Sequence, residues 1–207
     1  MMGLHIAVVD YGIGNLRSAE KAFQHVGADA RLTASAAVIA AADAVVLPGV
    51  GAFGACIDAL EASGLREVVM EAARSGRPFV GICIGLQMLC ASSEESPDHL
   101  GLAVFDTKVI RIRGDVKLPQ MQWNQLSVEG PPHPALLGLG DAPWMYFVHS
   151  FAAERCDATV ATCDYGGPVT AVLARDSIVA AQFHPEKSGR DGLAFLSNVV
   201  TWAGTVH

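Results

Sequence analysis

Short apolar runs alternate along the chain with stretches whose apolar residues recur at helical spacing. His5–Val9 is one such run, the pattern of a strand buried on both faces. Asn15 is a favoured helix-capping residue type. Leu16, Ala19, Ala22, Phe23 and Val26 then follow at three- and four-residue intervals, and Gly27 ends the pattern. Residues 30–33 read as a second, weaker strand. Residues 44–47 read as a third, stopped by Pro48-Gly49. Helical spacing returns over 52–61 and 65–75, a buried strand over 79–82, and a helix over 86–91. Strands alternating with helices predict a mostly parallel central sheet with helices on both faces, an α/β fold.

The second half changes character. Residues 104–112, 118–128, 145–152, 158–162, 169–174 and 178–183 read as strands. The turns Asp164-Tyr165-Gly166-Gly167 and Arg175-Asp176-Ser177 predict hairpins, so antiparallel strands are added to the parallel core. A closing helix over 189–202 carries Leu193, Leu196, Val199 and Val200 on one face. There is no repeat, low-complexity tract or linker, and 207 residues fit a single domain over 1–207.

Composition narrows the function. Lys and Arg number 14 against 21 Asp and Glu, a net charge of −7, which disfavours phosphate contact and hence nucleic-acid binding. Between positions 32 and 57 the only charge is Asp43. That stretch is rich in Ala and Gly and contains Pro48. A mid-membrane Asp costs about 2.5–3.5 kcal/mol, so a helix and a strand buried in protein are expected, with no membrane span. The opening MMGLHIAVVD has no basic region, and its apolar run stops at Asp10, unlike a secretory signal. A cytoplasmic location is expected. The cysteines, Cys56, Cys83, Cys90, Cys156 and Cys163, are odd in number and form no C-x-x-C pair. Neither a disulfide framework, a metal site nor a cofactor is expected.

The candidate chemistry lies in Phe79-Val80-Gly81-Ile82-Cys83-Ile84-Gly85-Leu86-Gln87, a strand entering G-x-C-x-G and then a helix. This is the nucleophile-elbow pattern with Cys as nucleophile. The strained turn needs small neighbours, which Gly81 and Gly85 supply, and the helix start aims N–H groups at the sulfur and lowers its pKa. A buried structural Cys on a Gly-rich turn is the bland alternative. His184 and Glu186 stand two apart at the end of a strand-like run, so period two puts both on one face, with Pro185 marking the strand's end. Glu186 can then orient His184 as base to a nucleophile. Gly49-Val50-Gly51 follows the third strand, where active sites of open α/β sheets lie, and can add an oxyanion N–H to that of Ile84. It can equally be a plain turn. His149 sits among apolar neighbours as a core or rim residue. His5, His25, His99, His133 and His207 have no paired motif. Cys56 and Cys90 are placed on apolar helix faces, Cys156 and Cys163 in hairpins.

The elbow together with His184-Pro185-Glu186 resembles the class I (triad) glutamine amidotransferases, of flavodoxin-like fold. Asp10-Tyr11-Gly12-Ile13-Gly14-Asn15-Leu16-Arg17-Ser18, Pro48-Gly49-Val50-Gly51-Ala52-Phe53, Met121-Gln122-Trp123-Asn124, Tyr146-Phe147-Val148-His149-Ser150-Phe151 and His184-Pro185-Glu186-Lys187-Ser188 narrow the resemblance. They are similar to the glutaminase subunits of imidazole glycerol phosphate synthase. The resemblance implies that Cys83, His184 and Glu186 form a triad hydrolysing L-glutamine, with the oxyanion received by N–H groups of Ile84 and of Gly49, Val50 and Gly51. It implies substrate contacts from Gln87, Glu95, Ser150 and Phe151. It further implies a heterodimer with a (β/α)₈-barrel cyclase subunit, to which ammonia passes, with Asn15, Trp123, Tyr146 and Lys187 near the interface. The product step belongs to histidine biosynthesis. The family often has His and Gly where this chain has Gln120 and Gln122, which bears on interface packing, and Phe151 stands where Tyr is common.

Two other readings compete. The glutaminase of pyridoxal phosphate synthesis carries P-G-G-E-S where this chain reads Pro48-Gly49-Val50-Gly51. A catalytically dead partner-binding relative would not need all of Cys83, His184 and Glu186.

Overall fold

A computed structural model describes residues 3–130 and 133–206; Met1, Met2 and His207 lie outside the described residues. The elements run β1 (His5–Val9), α1 (Leu16–His25), β2 (Asp29–Thr33), α2 (Ala36–Ala41), β3 (Ala44–Gly49), α3 (Phe53–Ala62), α4 (Arg66–Arg74), β4 (Phe79–Cys83) and α5 (Ile84–Met88). Then follow β5 (Cys90–Ser93), β6 (Phe105–Arg111), β7 (Gln120–Gln125), β8 (Ser127–Val128), β9 (Trp144–His149), β10 (Phe151–Ala153), β11 (Thr159–Asp164), β12 (Pro168–Arg175), β13 (Ile178–Ala181) and α6 (Gly189–Ala203).

The main sheet has eight strands in the order β2-β1-β3-β4-β13-β12-β11-β8. Its first five strands are parallel. The chain moves outward from β1 to β2 and then back across to β3. Right-handed crossovers therefore put α1 on one face and α2, α3 and α4 on the other. The packing agrees: α1 meets α6, and α2 meets α4. Fully buried Phe23, Phe79, Phe183 and Phe195 fill the layers between sheet and helices.

Several sequence expectations are corrected. Pro48-Gly49 does not stop β3, which pairs with β4 as far as Gly49 opposite Cys83. β1 pairs with β3 only as far as Val46, so the missing N–H of Pro48 breaks no ladder on that side. The helix expected over 86–91 is only Ile84–Met88. The segment 102–105 donates N–H groups to the carbonyls of Met88, Leu89 and Cys90, in place of a further helical turn. Cys90 therefore lies on β5, not on a helix. In the second half, β11, β12 and β13 are successively antiparallel, with the expected hairpin across Arg175-Asp176-Ser177, and β13 on its other edge also joins the parallel core beside β4, a second pairing that the sequence pattern does not indicate. The strand read over 145–152 breaks at Ser150 into β9 and β10, which enter different small sheets. The buried face of α6 is Gly192, Phe195, Leu196, Val199 and Trp202, with Leu193 and Val200 only half-buried. Asn15 stands at the helix cap, but its side chain caps no N–H; its Oδ1 accepts from Ser18 Oγ at 2.8 Å.

Candidate active site

β4 ends in a residue no relaxed strand would tolerate. Cys83 has φ 56 and ψ −112, a left-handed backbone forced on a residue with a Cβ. Close packing on both sides holds the strain. A Cβ on Gly85 would lie 1.9 Å from the Leu47 carbonyl oxygen, and one on Gly81 would lie 3.0 Å from Ala180 Cβ. Only glycines let α5 start directly against β3. α5 has only five residues and the Cys83 side chain accepts from none of its N–H groups, so the expected help to the sulfur from a helix dipole is small.

His184 reaches Cys83 because β13 lies beside β4 in register, Ala181 opposite Ile82. The expected reason for the His184–Glu186 contact is replaced. The strand ends at Ala181, and Pro185–Lys187 is a 3₁₀ turn that folds Glu186 back, so that its Oε1 lies 2.8 Å from His184 Nδ1. Both side chains are buried. β9 secures the turn. His184 N–H donates to the Tyr146 carbonyl at 3.0 Å, and Ser188 Oγ donates to the His184 carbonyl at 2.6 Å while accepting from Tyr146 N–H at 2.9 Å. Burial alone would push His184 down. Its interactions with the Cys83 sulfur and the Glu186 carboxylate outweigh that and raise it to about 9, so the imidazole keeps its proton at neutral pH.

One cavity of about 640 Å³ gathers most of the sequence candidates. Cys83, Ile84 and His184 meet Val50 and Gly51 from the loop after β3. Gln87, Glu95, Ser150 and Phe151 line the same cavity, as do Asn15 and Lys187. Glu186 stands behind His184 rather than in this cavity. Gly49 lies in β3, where an added Cβ would come within 2.9 Å of Gly85 N. Trp123 and Tyr146 lie on the β7–β9 ribbon, ring centroids 6.1 Å apart.

Some polar residues of the site carried no motif. Gln182, fully buried, accepts from Gln87 Nε2 at 3.0 Å, and its own Nε2 lies 4.0 Å from Cys83 Sγ. A polar residue inside the apolar run 178–183 was the available signal. Glu95 Oε2 accepts from Phe53 N–H at 2.8 Å and Ser96 Oγ from Gly54 N–H at 3.1 Å, so the Glu95 loop caps α3 just past Gly51. His99 does have a partner, Asp58 at 3.1 Å, on the surface. Gln120 is fully buried, its Nε2 3.7 Å from Cys163 Sγ, so this departure concerns the interior rather than interface packing. Among the described residues no cluster suits a metal ion, and no helix is long and apolar enough to cross a membrane.

A strained cysteine elbow beside an imidazole–carboxylate pair, at the carboxyl edge of a parallel sheet, is the arrangement of a thiol-dependent amidase. The family model for glutamine amidotransferase class-I matches residues 7–201, and the chain belongs to that family. It is 49% identical over 196 residues to the imidazole glycerol phosphate synthase subunit HisH of Methanothermobacter thermautotrophicus, covering 94% of this chain and 97% of the relative. To the HisH subunit of Syntrophotalea carbinolica it is 47% identical over 202 residues, covering 93% and 98%. Among solved structures, PurLQS from Thermotoga maritima has a TM-score of 0.73 at 18% identity, covering 97% of this chain and 99% of that one. A glutamine amidotransferase from the same organism has 0.63 at 16%, covering 90% and 77%. At such identities the two structures bear on the fold alone.

Proposed function

We propose that this chain is the glutaminase subunit of an imidazole glycerol phosphate synthase, releasing ammonia from L-glutamine for a cyclase partner in histidine biosynthesis. The observation that carries the reading is Cys83 on its positive-φ elbow, sharing a cavity with a His184 that Glu186 holds at 2.8 Å. The near-full-length likeness to HisH subunits supports the specific reaction.

The Cys83 sulfur, as thiolate, attacks the side-chain carbonyl carbon of glutamine. Negative charge develops on the carbonyl oxygen, where the N–H of Ile84 and one from the Gly49–Gly51 loop receive it; one such donor is worth on the order of 10²–10³ in rate. The C–N bond breaks as protonated His184 gives its proton to the leaving nitrogen, and ammonia departs. His184, now neutral, takes a proton from water, which attacks the thioester. The C–S bond breaks, glutamate leaves with its carboxyl proton passing to solvent, and the Cys83 thiolate beside protonated His184 is restored. Glu186 keeps the imidazole oriented throughout. Gln87, Glu95, Ser150 and Phe151 form the wall along which glutamine lies, with Glu95 toward its amino group.

Ammonia released into neutral water is protonated and lost as a nucleophile, so an enclosed path into a docked partner is required. The β7–β9 ribbon offers the docking face. Met121, Trp123 and Trp144 are 62%, 46% and 48% exposed, an apolar patch on an otherwise polar rim. Val148, on the same ribbon face, lines the cavity itself, so a partner seated on the ribbon would reach the site. Asn15, Tyr146 and Lys187 belong to this rim, and the occupant is a barrel cyclase in a heterodimer. The chain is read as one amidotransferase domain over 1–207, working in the cytoplasm.

A glutamine-like alkylating agent, followed by peptide mass mapping, tests the chemistry. Modification of Cys83 that glutamine slows and Cys83→Ser abolishes is expected. Absence of labelling, or equal labelling of another cysteine, would point to a binding module. Glutamine hydrolysis measured with and without a barrel cyclase charged with its nucleotide then tests the partnership.

A further inference from the structure

We infer that Arg111 is the residue of this site that binds the α-carboxylate of the amino-acid substrate, beside a Glu95 that takes the α-amino group. The inference rests on the glutaminase reading above and deepens it. Glutamine is a zwitterion, and the wall along which it lies supplies a carboxylate for its amino group but, without Arg111, no cation for its carboxylate.

The strands place the side chain. Arg111 ends β6 and stands directly opposite Phe151 of β10 in the antiparallel ladder. The neighbouring pair carries the hydrogen bond, Ile112 N–H to the Ser150 carbonyl at 3.0 Å. Arg111 and Phe151 are therefore a close, non-hydrogen-bonded pair with both side chains on one face. The guanidinium carbon accordingly lies 5.9 Å from the Phe151 ring centroid, within cation–π range. Period two puts Arg111 on the same face as the fully buried Val109. A strand face that buries Val109 yet leaves Arg111 exposed has run out of core at its end, and what it meets there is the cavity: Arg111 and Phe151 both line it, together with Cys83 and His184. Glu95 comes to the same cavity from β5. The parallel register sets Ser93 beside Val109, so Glu95 and Arg111 each stand two residues past the last ladder pair, at the same end of the two strands.

Charge supports the assignment. The Arg111 guanidinium makes no ion pair among the described residues; only its backbone N–H meets Glu94, at 3.0 Å. Arg113, two residues on, is instead paired with Glu94 at 3.5 Å, and Arg155 with Glu129. Of Glu95 only Oε2 is taken, by Phe53 N–H at 2.8 Å. A carboxylate that leaves water needs a charged partner, and a guanidinium offers two parallel N–H groups to its two oxygens. The cavity's other cation without an ion pair among the described residues, Lys187, follows Glu186 on the turn that holds His184, at the end where the side-chain amide reacts. Arg111 and Glu95 thus select a free amino acid over a glutamine within a peptide, whose α groups are uncharged amides.

The test compares L-glutamine with L-glutamine α-amide, which keeps the side-chain carboxamide and the amino group but has no α-carboxylate. It uses the chain assembled with a barrel cyclase charged with its nucleotide. Arg111 touches a part of the substrate that does not react, so its loss is read in KM rather than in kcat. With Arg111→Gln, KM for glutamine is expected to rise about 10- to 100-fold while kcat stays within about threefold, as for a lost hydrogen bond to a charged group. Turnover of the α-amide should change by less than about threefold, because it never made the contact. Arg111→Lys should recover part of the loss, as a point charge without the planar fork. An unchanged KM for glutamine, equal losses on both substrates, or an effect confined to cyclase affinity would overturn the inference while leaving the glutaminase reading intact. A wild-type assembly that hydrolyses neither substrate would overturn both. Should Arg111→Gln not fold, the wild type decides: a KM for the α-amide at least tenfold above that for glutamine is expected, and equal values would contradict a cation at the carboxylate.

Discussion

Gly85 and Gly51 are required for opposite reasons, and their alanine variants should separate them. At Gly85 the backbone is ordinary helix, but a Cβ would sit 1.9 Å from the Leu47 carbonyl oxygen, so helix and strand must part. At Gly51 no atom lies within 4 Å of a Cβ, but φ is +94. Gly85→Ala is expected to destabilise by on the order of 3 kcal/mol and to lower kcat at least tenfold, because the elbow moves with α5. Gly51→Ala should cost only about 1 kcal/mol while still lowering kcat, through the loop that faces Ile84. Urea unfolding and glutamine turnover on both variants check this; equal stability losses would refute the distinction. At this scale the sequence was most informative where residue type and chemistry coincide. Cys83 between two glycines, and His184 with Glu186, were readable without coordinates. Gln182 and Ser188 were not, because their roles come from contacts to a side chain and a backbone amide brought by distant segments.

Among the elements, the β7–β9 ribbon is the one whose surface does not suit a free chain. Met121 and Trp123 lie opposite Val148 and Tyr146 in the ladder, so one face of the ribbon carries a continuous apolar surface. Aromatic anchors dominate interface energetics, often at about 2 kcal/mol or more each. Trp123→Ala combined with Met121→Ala should therefore weaken cyclase binding by about 100-fold or more, with thermal unfolding of the free chain nearly unchanged. Titration calorimetry and a melting curve decide; a variant that binds as before would place the partner elsewhere. The order of elements was legible because the switch between helical and strand periods is local. Less legible were the pairings. Nothing in residues 178–181 says that the second strand of the β12–β13 hairpin also borders the parallel core, yet the place of β13 beside β4 is what brings His184 to Cys83. The apolar run after Cys83 fits helix and strand alike, and only the carbonyls taken up by 102–105 end α5 at Met88.

For the molecule as a whole, two buried imidazoles, His149 and His184, and the half-buried His133 set opposing limits on stability. His149 and His133 are lowered from 6.5 to about 4, chiefly by burial. Each holds fewer protons folded than unfolded as pH falls below 6.5, so stability is lost progressively between 6.5 and about 4. His184 is raised from 6.5 to about 9, the pull of Cys83 and Glu186 outweighing burial. Its contribution is full below pH 6.5 and disappears as pH rises through about 9. A tenfold change in proton affinity corresponds to about 1.4 kcal/mol, so His149 and His184 each account for up to about 3 kcal/mol, and the more exposed His133 for less. The unfolding free energy should therefore peak near pH 6.5 and fall on both sides, rather than follow the net charge of −7 toward the isoelectric point. Urea midpoints across pH test this, and two variants apportion it. Glu186→Gln should flatten the alkaline limb and leave the acid limb in place, whereas His133→Asn should soften only the acid limb. An alkaline limb that survives Glu186→Gln in full would mean that the carboxylate is not what keeps His184 protonated, and with it would go the account of how the imidazole is held ready to protonate the leaving nitrogen.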